Sequence, residues 1–125
     1  MKKIIYSKSA PAPIGPYSQA VLAGNTLYAS GQIAINAATG EFEMSSIEIE
    51  TEQVMQNIKA VLIEANMTFE NIVKCSIFLS SMDSFLQVNE VYGKYFPTNP
   101  PARETVEVSC LPKRVNVEIS FIAIK

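Results

Sequence analysis

A chain of 125 residues, 48% hydrophobic and 18% charged, has the length and apolar content of one compact domain and is too apolar for intrinsic disorder. Ten basic side chains against twelve acidic ones leave a net charge of −2, without the basic excess expected of a nucleic-acid binder. Histidine is absent, which excludes histidine metal ligation and every Ser–His or Cys–His nucleophile pair.

The start, Met1-Lys2-Lys3-Ile4-Ile5-Tyr6, is basic and briefly apolar, and Ser7, Lys8 and Ser9 break the run before it reaches signal-peptide length. No stretch approaches the ~18 apolar residues of a membrane span, so a soluble, cytoplasmic protein without a membrane partner is expected. No repeat or linker divides the chain, and residues 1–125 read as a single domain. Residues 18–23 and 26–30 are short β-leaning runs around Gly24-Asn25, a two-residue hairpin signal. Thr39-Gly40 marks the next turn. Five glutamates then fall within residues 41–52, read as the acidic start of a helix. Ser45 with Glu48 fits a capping box. The helix it opens has the stripe Val54, Ile58, Val61, Leu62 and Ala65, with Asn66 as a stop.

Ile72–Leu79 reads as a strand. Asp83 or Ser84 caps a second helix with the stripe Phe85, Val88, Tyr92, Tyr95 and Phe96, ended by Pro97, Pro100 and Pro101. Residues 105–109 and 115–124 read as the last two strands. The predicted order is β-β-α-β-α-β-β, an α+β fold with one mixed sheet and two helices on one face. In the last strand Val115, Val117, Ile119, Phe121 and Ala123 form one wholly apolar side. The other side, Asn116, Glu118, Ser120, Ile122 and Ile124, is too apolar at its end for free solvent, which points to an oligomer.

Cys75 and Cys110 lie in apolar stretches and read as reduced core thiols. Two thiols without histidine do not make an ordinary zinc site, so no metal is expected. Nor is there a phosphate-cradling glycine loop or a dinucleotide fingerprint. Of the two arginines, Arg114 sits in a Lys-Arg turn and reads as a surface charge. Arg103 follows the stiff Pro100-Pro101-Ala102 and stands just before a predicted strand, where a guanidinium suits bidentate capture of a carboxylate or phosphate. An ordinary pair with Glu104 or Glu107 is the competing reading. Glu118, in mid-strand between Val117 and Ile119, is either buried and paired or a general acid/base whose pKa burial raises. Tyr17, after Ile14-Gly15-Pro16, is a substrate-facing ring or a turn anchor. Gly31, in Ser30-Gly31-Gln32, allows close approach of backbone to a ligand. Ser30 and Thr105 lack a nearby base, against a covalent hydroxyl mechanism.

The run from Ala10 through Pro11-Ala12-Pro13-Ile14-Gly15-Pro16-Tyr17-Ser18-Gln19 resembles the N-terminal motif of the RidA/YjgF family. The resemblance continues through Ser30-Gly31-Gln32-Ile33 and Val88-Asn89-Glu90-Val91-Tyr92. It closes with Pro101-Ala102-Arg103, Val106-Glu107-Val108, Leu111-Pro112-Lys113 and Val117-Glu118-Ile119, and so covers essentially the whole chain. It implies a chorismate-mutase-like α+β fold, a homotrimer with active sites in intersubunit clefts, and hydrolysis of 2-imino or enamine acids such as 2-iminobutanoate and 2-iminopropanoate. The products are 2-keto acids and ammonia, and no cofactor is used. Arg103 would clamp the substrate carboxylate and Glu118 would hold the attacking water. Tyr17, Ser30, Gly31 and Asn89 would form the pocket. Thr105 stands where many relatives carry cysteine, and would hydrogen-bond the imine nitrogen. Glu104 replaces a usually small residue, and strand alternation turns it away from Arg103. The resemblance also carries the family's older description as endoribonuclease and translation inhibitor, against which the charge balance counts. A non-catalytic keto-acid-binding regulator using the same clefts is the third reading.

Overall fold

The computed structural model describes all residues, 1–125. Six strands form one mixed sheet: β1 (Lys2–Ile5), β2 (Ala20–Ala23), β3 (Thr26–Gln32), β4 (Ile72–Leu79), β5 (Ala102–Glu107) and β6 (Val117–Ile124). Their spatial order is β1-β2-β3-β6-β4-β5. Helix α1 (Ile47–Glu64) carries the chain from β3 to β4, and α2 (Phe85–Gly93) carries it from β4 to the parallel strand β5. Both helices pack on one face.

Local chemistry explains the elements. Gly24, at φ +60°, takes the left-handed first position of the β2–β3 hairpin turn. The Ser46 hydroxyl accepts from the Ile49 N–H and caps α1, a contribution of ~1 kcal/mol. The cap is therefore one residue beyond the expected Ser45, and Ile49 at its third position returns no bond. Asn66, at φ 58°, ends the helix as expected. The expected serine at the start of α2, Ser84, makes no side-chain cap; Ser81 instead caps the short turn Met82–Ser84 that leads into it.

Five strand boundaries and one strand depart from the sequence reading; β2 starts at Ala20 and β5 ends at Glu107, each two residues inside the expected run. β1 went unread because a four-residue Lys-rich edge strand, with only Ile5 buried, carries no period. The order is accordingly β-β-β-α-β-α-β-β. β5 begins at Ala102 because the prolines hold the chain extended up to the first ladder position, so Arg103 lies inside the strand. β3 runs to Gln32 through a register shift between Ala29 and Gln32 that places Ser30 and Gly31 in a bulge. β6 begins at Val117, where its ladder to Leu79 of β4 starts.

One core lies between the helices and the sheet: Val54, Met55, Ile58, Val61 and Leu62 of α1 against Leu27, Cys75, Ile77, Leu79, Val117, Ile119, Phe121 and Ala123. Each of the Val, Leu, Ile, Met and Phe side chains among them is worth roughly 1.5–3 kcal/mol of burial. Cys75 belongs to this core, but Cys110 is exposed in the loop after β5, a correction to the expectation of two buried thiols. The opposite face carries a row across four strands, Ile4–Val21–Tyr28–Ile122, whose members pair in register and which no helix covers. No helix is long and apolar enough to cross a membrane.

Candidate functional site

The two faces of the sheet carry different parts of the expected constellation. On the helix side, at the β5 edge, Arg103 lies over the rings of Tyr92 (5.0 Å) and Phe85 (5.7 Å). One guanidinium N–H donates to Asn89 Oδ1 at 2.7 Å. These cation–π contacts hold the guanidinium against α2 while leaving its other donors without a protein partner. Neither expected carboxylate neutralises it. Glu104 is on the other face, bound to Lys74 at 3.1 Å and to the Ser76 hydroxyl, which holds its carboxyl below the ordinary range. Glu107 accepts from the Met82 N–H.

Thr105 shares the Arg103 side of β5, by the register that sets Arg103 opposite Cys75 and Thr105 opposite Ile77. Its hydroxyl is buried without a hydrogen-bond partner. The Tyr92 phenol is buried too, but it faces the Cys75 thiol; burial and then hydrogen bonding with that thiol raise it above its ordinary pKa, and burial raises the thiol in turn. A cation with free donors on the same side of β5 as an orphaned hydroxyl is the environment of an anion-binding site, since such groups are normally satisfied.

On the open face, Tyr17, Ser30, Gly31, Ile33, Pro112 and Glu118 line a cleft of about 360 Å³. Gln19 braces the segment that carries one wall of it. Its buried amide donates to the carbonyls of Ser7, Ala10 and Pro11 and accepts from the Ser7 N–H, pinning the loop that leads to Tyr17. The Tyr17 hydroxyl accepts from the Ile14 N–H at 3.2 Å, so the ring both closes its turn and walls the cleft. The Ser30 hydroxyl donates to the Ser18 carbonyl at 2.6 Å and keeps only lone pairs for a ligand.

Gly31 serves Glu118. A Cβ built on it would lie 2.6 Å from the Glu118 carboxyl carbon, so the missing side chain is the space the carboxylate occupies. Gly31 itself still lines the cleft. Glu118 is half-buried, and desolvation alone raises its pKa above the ordinary carboxylate value.

The structure thus joins Tyr17, Ser30, Gly31 and Glu118, and separately joins Arg103, Asn89 and Thr105. It does not join the two sets. Glu118 and Arg103 lie two strands apart, about 10 Å laterally, and project to opposite faces. One protomer holds two half-sites. A second cleft of about 360 Å³, along α1 between Ser7 and Lys59, contains none of these residues. Sequence reading missed Gln19, Glu50 and Asn57 as determinants. Glu50 and Asn57 stand four residues before and three after Val54, on the buried stripe of α1, and a polar residue on an apolar stripe signals a side chain that satisfies buried backbone. Asn57 does so for the carbonyls of Ile33 and Ile35. No group of His, Cys, Asp or Glu is arranged to hold a metal.

Residues 7–125 match the family model described as Endoribonuclease L-PSP. A Rid-family protein of unknown function from Yersinia pestis, YyfA, is 50% identical in its crystal structure, covers 100% of both chains and superposes with a TM-score of 0.97. TdcF from E. coli, solved with bound serine, is 35% identical over 98% of each chain with a TM-score of 0.94. Reactive Intermediate Deaminase A, a chloroplastic protein of Arabidopsis thaliana, is 40% identical over 98% of this chain and 65% of its own length. The chain belongs to the YjgF/RidA family.

Proposed function

We propose that this protein is a hydrolytic deaminase of 2-imino and enamine acids, forming 2-keto acids and ammonia in clefts between the subunits of a cytoplasmic homotrimer. The observation that carries the reading is the uncompensated Arg103 guanidinium, held by Tyr92, Phe85 and Asn89 on the same side of β5 as the orphaned Thr105 hydroxyl. It fits a small carboxylate. The deaminase name of one relative and the bound serine of another agree with an amino-acid-like substrate. Two half-sites on opposite faces, and an uncovered apolar row, call for a second copy of the chain to bring a Glu118 half-site against an Arg103 half-site.

The chemistry needs little. Arg103 fixes the substrate carboxylate and Thr105 bonds the imine nitrogen. Glu118 holds a water against C2 and takes a proton as the oxygen adds. Glu118 then returns that proton to the nitrogen, and the carbinolamine's C–N bond breaks to give the 2-keto acid and ammonia, which leaves as ammonium with the hydroxyl proton. A protonated imine is already electrophilic, so orientation and one carboxylate suffice without histidine. The protein requires no cofactor or metal on this reading.

The test generates 2-iminobutanoate with an amino-acid oxidase in the presence of semicarbazide. Active protein suppresses the semicarbazone signal; an unchanged signal rejects the deaminase and favours keto-acid binding without turnover. The family description as endoribonuclease favours a second reading, to which the net charge of −2 is opposed. RNA cleavage abolished by Glu118→Ala would establish it. Light scattering at ~14 kDa, the mass of one chain, would remove the intersubunit site.

A further inference from the structure

Glu50, in the first turns of α1, is fully buried and makes no ion pair. Three N–H donors serve it instead. Oε2 accepts from the backbone N–H groups of Asn116 (2.7 Å) and Val117 (3.0 Å), and Oε1 accepts from Asn116 Nδ2 (2.8 Å). Asn116 closes on the end of β4, where its carbonyl accepts from the Ser80 N–H (3.0 Å) and its Oδ1 accepts from the Ser80 hydroxyl (3.1 Å). Every polar group of Asn116 is thereby used, and the knot ties α1, β4 and the first residue of β6 together.

Glu118 is the next residue after the knot, and its side chain has no hydrogen bond of its own to orient it. Before the knot lies a turn in which Lys113 and Arg114, at φ 56° and 55°, both occupy the left-handed region that non-glycine residues avoid. Pro112 of that turn lines the Glu118 cleft. On one side Val117 and Glu118 pair with Leu79 and Phe78 of β4, but the ladder to β3 ends at Ile119 beside its register shift. Between a strained turn and an untethered carboxylate, the Glu50 anchor is therefore the further constraint on where β6 starts. A buried carboxylate is costly unless charge-assisted hydrogen bonds compensate it, as these three do.

We propose that Glu50 is a positioning residue for the reaction: through the amides of Asn116 and Val117 it fixes the start of β6, and with it the point from which Glu118 reaches across Gly31. The kinetic part of this inference rests on the imine-hydrolysis reading; the geometric part does not.

The test compares Glu50→Ala, Glu50→Gln and Val61→Ala, the last being a core truncation away from the knot. In imine hydrolysis Glu50→Ala should lower kcat at least about tenfold, because small displacements of a reacting group cost that much or more. KM should stay within about twofold, because Arg103 belongs to the other half-site. Glu50→Gln should recover most of kcat. Its carbonyl can accept both backbone N–H groups while its amide donates to Asn116 Oδ1, the Asn116 amide turning over toward the Ser80 hydroxyl. Val61→Ala should keep kcat even if it melts as early as Glu50→Ala. Equal kcat losses in the Ala variants at equal stability, or a matching rise in KM, overturns the proposal. Should Glu50→Ala not fold, Asn116→Ala removes the side-chain arms and is held to the same kcat–KM split. Should wild type turn over no imine, the functional reading fails, and the amide NMR resonances of Gly31 and Glu118 decide the geometry. Glu50→Ala or Asn116→Ala must move them more than Val61→Ala does; unmoved resonances reject the anchor.

Discussion

The Arg103 and Glu118 half-sites hold opposite charges by opposite means. Arg103 is held by contacts, two aromatic rings and one amide oxygen, and keeps most of its donors free. Glu118 is held by vacancy: the missing side chain of Gly31 and a half-buried cleft, with no bond to its oxygens. A cation meant to grip benefits from preorganised direction, whereas a carboxylate meant to hold and release a proton benefits from a poorly solvating site that lifts its pKa. The two halves should therefore respond differently to substitution and to pH.

The largest effect is expected at Glu118. Glu118→Gln should lower kcat by about 10²–10⁴, the range of a lost general base, with KM little changed. The same change should stabilise the fold. Desolvation raises the folded-state pKa of Glu118 above its unfolded value, so the group destabilises the protein as pH rises through the carboxylate range. Thermal melts should show Glu118→Gln above wild type at neutral pH and equal to it under acid conditions where both states are protonated. The acid limb of wild-type activity should lie above the ordinary carboxylate midpoint for the same reason.

Arg103→Ala comes next. Losing a bidentate charged pair removes ~3 kcal/mol, about two orders of magnitude in kcat/KM read by the semicarbazide trap. Arg103→Lys should rescue poorly, because an ammonium neither forks nor stacks as a guanidinium does. Gly31→Ala is intermediate. The added methyl meets the end of a flexible side chain, so the fold should lose only ~1 kcal/mol while Glu118 is displaced, a large kcat defect at a small shift in Tm. The smallest effect is Thr105→Val, which removes an orphaned buried hydroxyl. Stability should hold or rise by up to ~1 kcal/mol while KM rises a few-fold. Destabilisation by Thr105→Val would mean that the hydroxyl is not orphaned.

Much of this was legible in the chain itself. The alternation through Val117, Ile119, Phe121 and Ala123 gave the buried side of β6, and Gly24-Asn25 gave the hairpin. Arg103 and Glu118 stood out because a lone guanidinium after two prolines and a carboxylate in an apolar strand are locally anomalous. What was not legible depends on the third dimension. That they project to opposite faces follows from the pairing register of β5, which pattern alone does not set. β1 was silent because its lysines are what keep a short edge from pairing further. Glu50 hid as one glutamate among five, and only contact with a strand 66 residues away gives it a role.

β5 is the last strand of the sheet, paired on one side only, and its single neighbour is reached through the α2 crossover. Strands of that kind fray first, opening at a fraction of the global unfolding free energy. Arg103 and Thr105 ride on it, whereas Glu118 sits on β6 between two partners. Heating should thus cost the protein its grip on substrate before it costs the core its order. Thermal inactivation then precedes the loss of secondary structure and reverses on cooling, provided β6 has not opened.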